Sequence, residues 1–217
     1  MKALVIGATG LVGSELVKLL LEDDHFQNVL VFGRRSLGMA HTKLEEHIID
    51  FNNPSGWIHL VKGDVLFSTL GTTLSQAGSK EAQYQVDYTY QYEFAKGASH
   101  NEIPVYVLVS APSANPGSRF FYTRMKGELE RDVKKLNFKS ISFIQPGLLS
   151  GTRQIERTGE MIVFRILTTL NNFGILKKYR PIHGKTVALA MIHAAHSKYA
   201  GINRYEFEEV FDLASSE

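Results

Sequence analysis

Seven residues, Gly7-Ala8-Thr9-Gly10-Leu11-Val12-Gly13, constrain the fold of this chain more than any others. They join a short apolar run, residues 3–6, to a segment, 11–21, with a helical pattern. In that segment Leu16, Leu19 and Leu20 continue the spacing begun by Leu11 and Val12, while Glu15, Lys18 and Glu22 fall elsewhere on the wheel. A strand, a tight turn and an amphipathic helix are therefore predicted. Each glycine has its own use in such a joint. Gly7 permits the turn, Gly10 lets a pyrophosphate approach the backbone, and Gly13 lets the helix pack close to the sheet. The first N–H groups of the helix then face an anion. No Lys-Ser/Thr follows, which excludes a Walker loop.

The same alternation continues. Strand-like runs are expected at 29–32, 47–51, 65–70, 105–109 and 140–144, and helices at 80–99 and 119–136. Clusters at 52–56 and 112–118 mark joints. Near-continuous apolar strands alternating with helices imply a parallel sheet covered on both faces. The expected class is α/β, a doubly wound parallel sheet of the Rossmann type, in one NAD(P)-binding domain spanning 1–217. After 144 the pattern changes to helical segments at 161–171 and 185–196, with a last short strand at 205–207. Residues from about 147 onward are expected to form a substrate-side lid over the carboxyl ends of the strands.

Composition removes several chemistries. There are no cysteines, so thiol nucleophiles, Cys-ligated metals and disulfides are absent. His193 and His196 have helical ligand spacing without a neighbouring carboxylate in the sequence, and are read as surface residues; no metal site is expected. The formal charge of +2 is too small, and the basic pairs too scattered, for a nucleic-acid partner. No apolar run reaches the length of a membrane span, and the apolar stretch at the start is too short for a signal peptide. A cytoplasmic protein is expected.

The end of the second strand selects the dinucleotide. It reads Phe32-Gly33-Arg34-Arg35, with no acid for a ribose 2′-OH and two guanidiniums suited to a 2′-phosphate, which favours NADP over NAD. Asp50, after the third strand, is a candidate for the adenine amino group. Thr69, Leu70 and Gly71, after the fourth, are candidates for the adenosine ribose. After the fifth strand come Ser110 and then Tyr122 and Lys126, four apart and so on one helix face. A free tyrosine has a pKa of about 10, and a neighbouring ammonium favours the phenolate. Tyrosine, lysine and a serine hydroxyl together can exchange a proton with a carbonyl oxygen while a nicotinamide moves hydride.

With these motifs the chain resembles a short-chain dehydrogenase/reductase of the atypical kind, in the branch typified by the Tat-interacting oxidoreductase-like protein and its bacterial relatives. The resemblance rests on the glycine turn, Ser68-Thr69-Leu70-Gly71-Thr72-Thr73, Tyr122-Thr123-Arg124-Met125-Lys126-Gly127-Glu128 and Gln145-Pro146-Gly147-Leu148-Leu149. It implies that Thr9, Leu11 and Val12 accompany the glycines at the cofactor, and that Pro146, Gly147 and Leu148 line its nicotinamide side. Ser110 stands closer to the tyrosine than in standard members, which leaves Ser113 as a second candidate. The Asn that standard members supply from the fourth helix has Gln83, Gln85 and Asn101 as stand-ins. The resemblance implies an NADP-dependent oxidoreductase acting on a small carbonyl or alcohol. The alternatives are an NADPH-binding regulator with a protein partner and, more weakly, a nucleotide-sugar epimerase. Substrate and oligomeric state are not written in the sequence.

Overall fold

The computed structural model describes residues 1–150, 180–197 and 200–216. The first half alternates as the apolar runs require: β1 (Lys2–Ile6), α1 (Leu11–Glu22), β2 (Asn28–Gly33), β3 (Leu44–Ile48) and β4 (Val65–Ser68). Next come α2 (Leu74–Ala77) and α3 (Lys80–Tyr84), a π-helical turn (Gln85–Thr89) and α4 (Tyr90–His100). They are followed by β5 (Val105–Val109), α5 (Phe121–Val133) and β6 (Ser140–Gln145). The tail supplies β7 (Leu149–Ser150), β8 (Ile182–His183), α6 (Gly184–His196), β9 (Gly201–Glu206) and α7 (Glu208–Ser215).

Seven strands form one parallel sheet in the order β3-β2-β1-β4-β5-β6-β9. The order reverses between β1 and β4, so the crevice where ligands bind such sheets opens beyond Ile6 and Ser68. Alternate residues of β1 serve opposite layers. Ala3 and Val5 pack with α1 and α6, whereas Leu4 and Ile6 pack with α4 and α5. Trp57, in the connection from β3 to β4, is buried, stacks on Phe94 at 4.7 Å and donates its indole N–H to the Asp50 carbonyl.

Two placements differ from the sequence reading. The third strand is Leu44–Ile48 rather than 47–51. Among the described residues it lies at the sheet edge with β2 as its one strand partner, its residues are mostly half-buried, and no apolar run marks it. The described part of the tail goes into the sheet and its cover: β9 pairs with β6, and α6 packs against α1. The helix expected at 161–171 lies outside the described residues.

Candidate functional site

The glycine turn divides into two jobs. Gly7 has φ +86°, and a Cβ there would stand 2.5 Å from the backbone of Thr69 and Leu70. A Cβ on Gly13 would overlap the Gly7 carbonyl oxygen. Both glycines are therefore required by the packing of α1 against β4. Gly10 is different: it caps α1 in extended conformation, and a Cβ would stand 3.2 Å from the Gly7 oxygen and 3.9 Å from the Thr69 oxygen, a tight but not overlapping fit. Its N–H is bound to the Gly7 carbonyl, and no side chain caps the helix. A helix N-terminus without a side-chain cap, behind a residue with space in front of it, is suited to a phosphate.

Around this turn lies a cleft of about 1090 Å³, lined by Gly7, Thr9, Gly10, Arg34, Arg35, Thr69, Leu70, Gly71, Gln76, Gln85 and Tyr90 among others. An adjoining hollow of about 420 Å³ carries both arginines, Leu37 and Phe51. The expected turn, arginines and β4 loop thus meet in one place. Asp50 does not join them; its carboxylate accepts from the backbone and side-chain amides of Asn52, and it lines a separate hollow with Trp57. Gly13 lies behind the turn, and the carbonyl of Leu148 accepts from Ile182 N–H in the β7–β8 ladder.

A second cavity, of about 250 Å³, continues from the first through Thr69–Thr73 and contains Tyr122, Lys126, Ser110, Pro146 and Gly147 together with Leu11 and Val12. Tyr122 is 44% exposed, whereas Lys126 is 3% exposed, its Nζ 5.9 Å from the Tyr122 ring centroid. Ser113 is not in this lining; it sits in a turn with φ +60°.

Two carboxylates that the sequence reading passed over organise this cavity. Asp87, from the π-helical turn, is buried and lies 3.0 Å from Lys126 Nζ, while its other oxygen accepts the Thr72 N–H at 2.7 Å. Burial works against the lysine charge more than any other single influence, but Asp87, Tyr122 and Glu130 together outweigh it, and the Lys126 pKa is raised. Glu130 is buried below Ser110. It accepts from Ser110 Oγ at 2.6 Å, Gln145 Nε2 at 2.6 Å and Arg204 Nη2 at 2.7 Å. Among the stand-ins for the missing Asn, Asn101 is spent on the carbonyls of Ile58 and Val61, and Gln83 donates to the Thr72 carbonyl. Gln85 lines the larger cleft. The position beside the lysine belongs to Asp87.

The comparisons bear on the fold and the family. Residues 2–85 match the family model described as semialdehyde dehydrogenase, NAD binding domain, the segment that carries the glycine turn and the arginines. "Protein FMP52, mitochondrial" of Saccharomyces cerevisiae is 33% identical over 228 residues, covering 100% of this chain and 97% of that protein. The chain belongs to the FMP52 family. An Aspergillus fumigatus member is 39% identical over 165 residues, covering 72% of this chain and 70% of its own. Among solved structures, MoeE5 in complex with UDP-glucose and NAD superimposes with TM-score 0.70 at 17% identity, covering 99% of this chain and 81% of its own. UDP-N-acetylglucosamine 4-epimerase from Bacillus cereus gives TM-score 0.71 at 17% identity, covering 99% and 82%.

Two expectations change. The resemblance to short-chain dehydrogenases holds as a nucleotide-binding Rossmann-type fold, but these relatives carry the name FMP52 rather than that of the Tat-interacting branch. The cytoplasmic expectation is corrected, because the relatives are named as mitochondrial proteins. Neither the lack of a secretory signal nor that of a membrane-length apolar run or of cysteines distinguishes the two compartments.

Proposed function

We propose that this FMP52-family chain binds NADP(H) across the two joined cavities and acts as an oxidoreductase on a small carbonyl or alcohol. The observation that carries the reading is the convergence of the uncapped α1 N-terminus, the open face of Gly10 and the Arg34-Arg35 pair on one cleft. The turn would hold the pyrophosphate through backbone N–H groups, and the arginines the 2′-phosphate through charge-assisted bonds. Leu11, Val12, Pro146 and Gly147 would enclose the nicotinamide end, where Tyr122 and Lys126 stand. When bound, the cofactor supplies the hydride donor or acceptor.

The chain's own groups supply the proton chemistry. Tyr122 presents its ring to the open side of the smaller cavity, within reach of a substrate oxygen entering there. In reduction its hydroxyl gives the proton to the developing alkoxide; in oxidation the phenolate takes it back. Lys126 keeps a positive charge beneath this exchange, and Asp87 fixes where that charge sits. Ser110 Oγ gives its single proton to Glu130, so toward substrate it acts as an acceptor. That observation favours an alcohol or hydrated substrate over a bare carbonyl at this hydroxyl. It also supports the second reading, an NADPH-binding regulator without turnover.

A screen of small carbonyls and alcohols, followed by NADPH absorbance, tests the enzyme reading. Tyr122→Phe should keep NADPH affinity and lose about 10²–10⁴-fold in turnover. Wild-type turnover by the Phe variant contradicts the catalytic assignment. Tight NADPH binding without any substrate favours the regulator.

A further inference from the structure

At the opposite end of α1 from the glycine turn, three potential ligands meet that lie far apart in sequence. Asp23 caps the carboxyl end of α1, His25 follows it in the loop to β2, and His196 is the last residue of α6. Their ligand atoms all lie within 4.8 Å of one another. His25 Nδ1 is 2.9 Å from Asp23 Oδ1, and His196 Nε2 is 3.8 Å from Asp23 Oδ2. The two imidazoles meet edge to face at 5.1 Å, and Phe26 backs His196 at 5.3 Å.

We propose that Asp23, His25 and His196 form a binding site for one divalent cation of the zinc type. Ligand atoms around tetrahedral zinc, at about 2.0–2.1 Å from the metal, stand roughly 3.3–3.5 Å from each other. The 2.9 and 3.8 Å separations, to the two oxygens of Asp23, lie on either side of that spacing, and with all ligand atoms within 4.8 Å of one another the set needs a shift of an ångström or so to close on one ion. The ion replaces the proton shared by His25 and Asp23, and water completes the fourth position. Two imidazoles and one carboxylate suit zinc and its neighbours, whereas magnesium and calcium prefer all-oxygen sets. Both helices point their carboxyl ends at the site, where the helix dipole favours a cation. The nearby Lys43 ammonium already has partners, 3.0 Å from the Asp23 carbonyl and 3.8 Å from the Asp24 carboxylate. A bound ion ties the α1–β2 loop to the end of α6, across the helix layer on one face of the sheet. Since α1 has 12 residues at about 1.5 Å each, roughly 18 Å separates this site from the nucleotide cleft.

The test is calorimetric titration of the tag-free full chain with Zn²⁺ and, separately, Mg²⁺. One Zn²⁺ per chain and no Mg²⁺ is the expected result. His25→Ala and His196→Ala should each weaken Zn²⁺ at least tenfold, and His25→Ala/His196→Ala should abolish it, while His59→Ala, at an exposed histidine elsewhere, changes nothing. Zn²⁺ should raise the melting temperature of the wild type and leave that of the double variant unmoved, with NADPH affinity equal in both. Circular dichroism confirms that each variant is folded. Failure of the wild type to bind Zn²⁺ at micromolar levels, or equal binding by the double variant, overturns the site.

Discussion

Gly10 and Gly13 stand three residues apart in one turn, yet their substitutions should fail for opposite reasons. A valine at Gly10 finds allowed backbone angles, φ −83° and ψ 173°, and enters the space reserved for the pyrophosphate. Gly10→Val should therefore fold normally and lose NADPH binding. Gly13→Ala drives a methyl into the Gly7 carbonyl and should cost about 3 kcal/mol or more of stability. Chemical denaturation and cofactor fluorescence on the same samples separate the two outcomes; a destabilised Gly10→Val would move the requirement from ligand to fold. Glu130 is a second single-residue test. Glu130→Ala leaves the buried Ser110 hydroxyl and Gln145 amide without their acceptor, about 1–3 kcal/mol for each group. Urea denaturation measures it, and a loss under 1 kcal/mol would show that water replaces the carboxylate. Glu130 was within reach of sequence reasoning, because Tyr122, Lys126 and Glu130 repeat every four residues along one face of α5. Asp87 was not. It reaches Lys126 from a π-helical turn, a widening of the helix that no residue pattern at 80–99 announces.

The contact of α5 with the end of α3, the π-helical turn and α4 is a ladder of tyrosines over carboxylates. Tyr84, Tyr88 and Tyr92 stack in sequence at 4.7 and 5.8 Å, with the Tyr84 hydroxyl donating to Glu128 and the Tyr88 hydroxyl to Asp132. Burial, then the bond to Glu128, pushes the Tyr84 hydroxyl up to about 12; burial, then Asp132, raises Tyr88 further. In the unfolded chain both ionise near pH 10, so the stability they contribute is complete below pH 10 and drains away as pH rises toward 12. The Tyr84→Phe/Tyr88→Phe variant should flatten that alkaline loss between about pH 10 and 12, read by urea unfolding; an unchanged slope would place the loss elsewhere, with Lys126 next in line. Acid acts through Asp132, whose carboxyl is held far below the usual range by the Arg131 guanidinium, with Lys135 and Tyr88 adding to it. Its contribution is complete above about pH 4 and fades as pH falls. The central elements were legible because β1, β2, β4 and β5 carry near-continuous apolar runs, buried from both sides, and β6 keeps Ile141, Phe143 and Ile144 among buried serines. The edge strand was displaced in the reading because Leu44-Glu45-Glu46-His47-Ile48 has only one neighbour and carries no such run.

Across the whole molecule, one sheet carries both the glycine turn at the end of β1 and the Glu130 network that joins Ser110, Gln145 and Arg204 of β9. The helix expected at 185–196 is present as α6, but its docking on α1, the extent of β9 and the helix α7 were less legible, because they depend on contacts with α1 and β6 that local pattern does not encode. A ligand that binds only this assembled form should raise its stability by about 2.7 kcal/mol at one hundred times its dissociation constant. NADPH should do so with the full chain, and a melting temperature unmoved by saturating NADPH would contradict binding to the native fold. The Arg34-Arg35 end of the cleft is proposed to read a 2′-phosphate, and calorimetric titration with NADPH and with NADH decides whether it does. The wild type should prefer NADPH by at least tenfold, and Arg34→Ala/Arg35→Ala should lose that preference while keeping its NADH affinity, since one charge-assisted bond is worth about 1.5–3 kcal/mol. Equal affinities for the two cofactors in the wild type, or an undiminished preference in the double variant, would contradict the account.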